Sequence, residues 1–253
     1  MREIIENLFK DFIFKYKKTS NSKTQWEDPI IGFAKADDPG FLKLKKIVDK
    51  NHKLPNELLN HAKTVITYFI PFNQEIVSSN SNGKIASKEW AIAYIETNNL
   101  ITELNKSLTK ELKKEHFNSV SIPATHNFDE NKLVSLWSHK HVAYIAGLGK
   151  FGLHKMIITE KGCCGRLGSL ITSAKIEISE RVDKEYCLYF HNESCKKCVD
   201  KCVYNILKVD SFDRYKCYEV CLSNSRIYSH LGLSDICGKC ACGVPCSTKN
   251  PVE

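Results

Sequence analysis

The sequence predicts an α+β protein: a mixed α/β body over residues 1–180, then a small cysteine-rich, ferredoxin-like module over 181–253. Three observations predict it. All twelve cysteines fall between Cys163 and Cys246, and the 162 residues before them contain none. The body alternates stretches of helical apolar spacing with short runs rich in β-branched and aromatic residues. A chain of 253 residues with 42% hydrophobic content suffices for one fair-sized domain and a small second one.

Each element has its own signal. Ile5, Leu8, Phe9, Phe12, Ile13 and Tyr16 give a helix over 2–17. The stretch to Gly40, with two Asp-Pro steps, reads as loop, and 41–51 as helix. TVITYFIPF over 64–72 is the best strand in the chain. SSNSNGKIAS over 78–87 is loop, 88–115 a long helix, and 117–122 a short strand stopped by Pro123. Asp129 is expected to cap a helix running to Ile145 and ending at Gly147. Residues 154–159 and 169–176 read as strands separated by the loop EKGCCGRLG. The boundary between the two parts falls near 178–186.

The cysteines carry most of the chemical information. Cys187, Cys195, Cys198 and Cys202 read C-x7-C-x2-C-x3-C, and Cys237, Cys240, Cys242 and Cys246 end the chain as CGKCACGVPC. A cubane cluster needs four thiolates converging on a small volume, and cysteines two apart on a tight turn bring two or three together. In two-cluster ferredoxins the fourth cysteine of each run serves the other run's cluster. The first run lacks the early C-x2-C, since position 192 is Asn192. Two 4Fe–4S clusters are the preferred reading, with structural zinc the rival because C-x2-C pairs also build zinc knuckles. A disulfide framework fits less well: it needs an oxidising compartment, and MREIIENLFKDF has no signal-peptide core. A cytoplasmic location is expected. No stretch approaches 18 apolar residues, so no membrane is expected as a partner.

The formal charge of +8 counts every cysteine as neutral. Two oxidised clusters would take away about four units, leaving a weak basic bias that a lysine-coated surface explains. Glu96, in EWAIAYIETN, sits on an otherwise apolar helix face and is a candidate for lining a polar pocket. Gly147-Leu-Gly-Lys-Phe-Gly152 fits G-x-G-x-x-G, but it follows a helix and opens a strand, the reverse of a dinucleotide loop. It reads as a glycine-permitted turn or as a backbone cradle for another large cofactor. His126, His139, His141 and His154 cluster with Trp137 and Tyr144. They read as partly buried aromatic-type residues, or as proton donors and cofactor contacts, because reduction consumes protons with electrons.

AGLGKFGLHKMIITEKGCCGRLGSLIT resembles the glycine-turn region of epoxyqueuosine reductases. EWAIAYIETN, PATHNFD, WSHKHVAYIAGLGKFGL and CGKCACGVPC resemble the short clostridial and archaeal proteins grouped with that family. The resemblance covers about Asp28 to Pro251, and the family is akin to reductive dehalogenases. It implies a nitroreductase-like α/β core holding a cobalamin, with two 4Fe–4S clusters delivering low-potential electrons to it. It implies Cys187, Cys195, Cys198 and Cys246 around one cluster, and Cys202, Cys217, Cys237 and Cys240 around the other. Cys163, Cys164, Cys221 and Cys242 are left as small buried hydrophobes. Gly147, Leu148, Gly149 and Gly152 match the family's cobalamin-contacting loop.

Two departures stand out. The register of the family's catalytic aspartate falls at Leu133, so the acid is sought among His141, Tyr144, His139 and Asp129. Longer members also continue into helical repeats that grip tRNA, and this chain stops at Glu253. The expected activity is therefore reductive chemistry on a small molecule or modified nucleoside, with tRNA as a further partner class and a ferredoxin or flavodoxin as electron donor. The alternative is a cobalamin-free electron-transfer or redox-sensing protein.

Overall fold

The computed structural model describes residues 1–181 and 183–252. A four-stranded antiparallel sheet in the order β1-β2-β8-β3 organises the body. Strand β1 is Ile30–Lys35, β2 Thr64–Pro71, β3 Ser119–Ser121 and β8 Gly165–Thr172. All eight residues of β2 are buried, because helices cover both faces of the sheet. Side chains alternate along a strand, so Ile66, Tyr68 and Ile70 meet α1 (Arg2–Thr19) and α5 (Lys88–Lys114) through Phe9, Leu100, Leu104 and Leu108. Val65 and Ile171 face the opposite layer, packed with Phe41 of α2 (Pro39–Ile47) and Val142 of α6 (His139–Ile145). Short helices α3 (Pro55–Leu58) and α4 (Gln74–Ser79) flank β2.

Four segments depart from the sequence reading, each for a physical reason. The expected loop before Gly40 contains β1, and Asp38-Pro39 opens α2: the Asp38 carboxylate accepts the Gly40 N–H at 2.8 Å, and proline suits the first helical turn. The helix expected from Asp129 is a hairpin of β4 (Phe128–Asp129) and β5 (Val134–Ser135). There Asp129 accepts the Asn131 and Lys132 N–H groups across a turn, and Leu133 takes φ +51°, which no helix tolerates. Half of EKGCCGRLG is strand. Gly165 and Gly168 are poor strand formers, but a Cβ on them would stand 2.3 Å from the Ile70 carbonyl oxygen and 2.4 Å from the Tyr68 ring. The strand expected over 154–159 shortens to β7 (Ile157–Thr159), paired with β6 (Gly149–Phe151).

The cysteine-rich part adds α7 (Leu188–Asn192), α8 (Lys197–Asp200) and α9 (Arg214–Ile227). Its Tyr186, Leu207, Ile236 and Val244 belong to the same apolar cluster as Phe9 and Leu104, so one core runs through the boundary near residue 180. Lys239, only 2% exposed, donates to the Asn80 and Asn82 carbonyls at 3.1 and 2.6 Å, and Lys201 donates to the Ser81 carbonyl at 2.8 Å. Both cysteine runs are thus clamped to one loop of the body.

Candidate active site and cysteine cages

Cys187, Cys195, Cys198 and Cys246 line one small cavity together with Leu153, His154 and Val244. Cys187 stands just before α7, Cys198 lies on α8, and Cys246 returns from the chain's last turn. Burial, then the neighbouring Cys246, Cys187 and Cys195, push the Cys198 thiol up to about 12. Four cysteine sulfurs lining one small cavity are the soft donor set a metal cluster takes, and a bound cation offsets the cost of charging Cys198 there. The donor set therefore fits a thiolate-bound metal cluster.

A larger cavity of 350 Å³ is bordered by Cys202, Cys217, Cys237 and Cys240. Cys217 and Cys221 lie one turn apart on α9, whose N-terminus Asp213 caps by accepting the Tyr215 and Lys216 N–H groups, both at 3.1 Å. The Cys221 thiol donates to Cys217 and lowers its pKa, an effect that Lys140 reinforces; Cys221 itself is raised. Gly238, at φ +71° between Cys237 and Cys240, leaves room for the Trp90 ring, which a Cβ would meet at 2.6 Å. The remaining thiols are buried: Cys164 donates to the Ala241 carbonyl at 3.2 Å, and Cys242 accepts from Asn80 Nδ2 at 3.4 Å.

The same cavity has a polar wall from the body. Tyr94 on α5 donates its hydroxyl to Asp235 Oδ1 at 2.6 Å and accepts from Thr125 at 2.8 Å. The Arg166 guanidinium stands 4.2 Å above the Tyr94 ring and donates to Asn98 Oδ1 at 2.9 and 3.2 Å. Burial raises the Tyr94 pKa, so the phenol keeps its proton. Lys140 donates to the Lys155 carbonyl at 3.1 Å; burial lowers its pKa, and Cys217 and Cys240 oppose that shift. A second cavity of 250 Å³ shares Lys140, Met156 and Arg166 with the first and adds His126, Phe128 and His139. His126 Nε2 lies 3.6 Å from Asp235 Oδ1. Residues from EWAIAYIETN, PATHNFD and the last cysteine run therefore meet at one place. Sequence reading missed Asp235, which lies outside every quoted motif; Tyr94, His126, Lys140 and Arg166 all stand inside quoted motifs, but of these only His126 is singled out by its residue type.

The residues nominated from the sequence divide. His139 lines the second cavity, but both ring nitrogens are engaged. Nε2 donates to the Pro123 carbonyl at 2.9 Å, and Nδ1 accepts at 2.9 Å from Ser169, which in turn accepts the Trp137 indole N–H. Burial lowers its pKa to about 4, so it is neutral near pH 7. His141 and Tyr144 do share a face, but it packs against Phe151, with ring centroids 4.8 and 5.9 Å away, outside both cavities. Burial also lowers His141 to about 4. Asp129 is exposed on its turn.

The glycine turn serves the protein's own packing. A Cβ at Gly149 would stand 2.0 Å from the Ile158 carbonyl oxygen, and one at Gly147, where φ is +78°, 2.7 Å from the Glu180 carbonyl oxygen. At Gly152 it would stand 2.7 Å from His154 Cε1. Leu148 is buried against Gly32. Gly147 and Gly149 border a separate pocket of 230 Å³ with Tyr144 and Lys150. A side chain at Gly149 would enter the β6–β7 pairing. Glu96 accepts the Lys23 and Thr24 N–H groups and holds that segment on α5.

No protein-family model and no curated protein matches the sequence. Solved structures do match. Epoxyqueuosine reductase from Streptococcus thermophilus aligns with 96% of this chain and 67% of its own, at 20% identity and a TM-score of 0.56. The Bacillus subtilis enzyme aligns with 93% and 64%, at 18% identity and 0.53. The chain has the epoxyqueuosine reductase fold. The catabolic reductive dehalogenase NpRdhA shares it, over 88% of this chain and 30% of its own, at 14% identity and a TM-score of 0.61. The chain thus spans about two thirds of the epoxyqueuosine reductases it matches. Another reductase structure of this fold, covered over 64% of its length, holds an epoxyqueuosine-modified tRNA stem loop. No helix among the described residues is long and apolar enough to cross a membrane.

Proposed function

We propose that this chain is an iron–sulfur oxidoreductase of the epoxyqueuosine reductase type. Cys187, Cys195, Cys198 and Cys246 hold one 4Fe–4S cluster, and Cys202, Cys217, Cys237 and Cys240 hold the second. One observation carries the reading: the second cysteine set opens onto the same cavity as Tyr94, Lys140, Arg166 and Asp235. The clusters supply low-potential electrons one at a time. Tyr94 holds a proton at its hydroxyl, donated in a hydrogen bond to Asp235, whose carboxylate also has His126 Nε2 beside it. Arg166 and Lys140 offset negative charge arriving in the cavity. The substrate is a small molecule or modified nucleoside, tRNA-borne or free, and the donor a ferredoxin or flavodoxin in a reducing compartment such as the cytoplasm.

A corrinoid is the proposed occupant of the space beside the second cluster, on the side where Lys140, Met156 and Arg166 line both cavities, and there it would supply a metal centre for reductive bond cleavage. The packed glycines favour the second reading, a cobalamin-free electron-transfer or redox-sensing protein, and one preparation separates the two. Anaerobically purified or reconstituted protein is expected to hold about eight irons and eight sulfides per chain and to take up cobalamin with a changed visible spectrum. Zinc in place of iron sinks the cluster assignment; full iron with no cobalamin bound at micromolar concentration selects the second reading.

A further inference from the structure

His154 belongs to neither cysteine set, yet it lines both cavities. It is 5% exposed, and its Nε2 lies 3.3 Å from Cys246 Sγ. The ring's other nitrogen settles where the proton is. Met156 donates its backbone N–H to His154 Nδ1 at 3.1 Å, so Nδ1 is an acceptor and carries no hydrogen. A neutral imidazole has one N–H, and here it must be at Nε2, pointing at the sulfur. The seat is built for this. Gly152 N–H donates to the Met156 carbonyl at 2.8 Å and Lys155 N–H to the Gly152 carbonyl at 2.9 Å, closing a tight turn with Lys155 at φ +65°. Gly152 lacks the Cβ that would displace the ring. Cys163 completes the surroundings: its backbone N–H donates to the Cys246 carbonyl at 2.9 Å, and its Sγ lies within 4.8 Å of both His154 and Cys246.

We infer that His154 is a positioning residue that sets the reduction potential of the cluster held by Cys246, by donating its Nε2–H to that sulfur. The inference rests on the cluster assignment proposed above. A reduced cluster carries one more negative charge than an oxidised one, and that charge spreads onto the ligand sulfurs. A donor aimed at a sulfur stabilises the reduced form more and raises the potential. His154 stands on the wall between the two cages, so it biases where an electron rests between them.

The test is a potentiometric titration followed by electron paramagnetic resonance on the iron-loaded full chain. His154→Leu should weaken reduction of the Cys246 cluster about tenfold, which is about 59 mV for one electron. The other cluster should stay unchanged, and His154→Gln, which keeps an N–H donor, should restore much of the shift. Wild-type protein carrying ¹⁵N-histidine supplies an independent measurement: the reduced cluster should show a weak nitrogen coupling by electron–nuclear double resonance. An unshifted potential in fully loaded His154→Leu overturns the inference. So does a wild type with no coupling, even if the variant fails to take up iron. A large coupling also overturns it, since that would make His154 an iron ligand. A wild type holding no iron fails at the cluster assignment itself, which the iron assay reveals before any titration.

Discussion

In the proposed partition, Cys202 and Cys246 each complete a ligand set whose other members come from elsewhere in the chain. Cys202→Ala is therefore expected to remove the cluster of Cys217, Cys237 and Cys240, and Cys246→Ala the cluster of Cys187, Cys195 and Cys198. Each variant should retain about four irons, read by metal analysis with resonance spectra to tell which signal is lost. Cys242→Ala should keep all eight, because its sulfur is packed against Asn80 and Cys164 away from both cages; a loss there would redraw the partition. His139 makes a different prediction. Its folded pKa of about 4 lies below the ordinary 6.5, so between those values the unfolded chain binds the extra proton. Stability is then lost as pH falls from 6.5 towards 4, by at most about 3 kcal/mol from this residue. Urea unfolding of wild type and His139→Gln at several pH values isolates it: the wild type should show the steeper acid loss, and parallel curves would refute the assignment.

Helix α9 and the β6–β7 hairpin are the elements that bring remote residues to the cages. Asp213 is the cap of α9, and Asp213→Ala should cost about 1 kcal/mol of stability. Because α9 carries Cys217, iron should also leave the second cluster faster under chelator, while the first cluster keeps its rate. The hairpin depends on Gly149, where any side chain enters the Ile158 carbonyl. Gly149→Val is expected to destabilise by about 3 kcal/mol or more and to weaken the Cys246 cluster, since the same hairpin seats His154. A thermal scan with iron analysis checks both. A Gly149→Val protein as stable as wild type, with full iron, would contradict the packing described for this turn.

One apolar core joins the sheet's helices to the residues around the cysteines, and this has a consequence for the entire chain. Iron binding to the folded state alone adds to stability. Iron-free protein should melt at lower temperature and expose Trp90, whose ring packs against Gly238 inside the second run. Tryptophan fluorescence should shift to the red on iron removal, while the helices flanking the sheet keep most of the far-ultraviolet circular dichroism. Unchanged melting and fluorescence would mean that the cysteine-rich part is built without its metal.

The elements that could be read early are those whose signal is local. The β-branched run of β2, the amphipathic α5 and the two cysteine runs declare themselves within a few residues, because strand alternation, helical period and ligand spacing are short-range properties. The elements that resisted depend on neighbours far along the chain. Gly165 and Gly168 enter a strand because the Ile70 backbone and Tyr68 leave no room for a Cβ, and the 129–135 segment folds back because Asp129 caps a turn and Leu133 takes a left-handed conformation. The site divides in the same way. The two cysteine runs are legible from their spacing, and the family resemblance implies the partition proposed above. Asp235 lies outside every motif, and Lys140 and Arg166 sit inside motifs without standing out, whereas His141 and Tyr144 draw attention on one helix, because helical phase says which residues share a face but not what that face meets. That depended on the packing of α6 against the sheet and on the folding of the last cysteine run over α5, which brings Tyr94, Arg166 and Asp235 together from three separate segments.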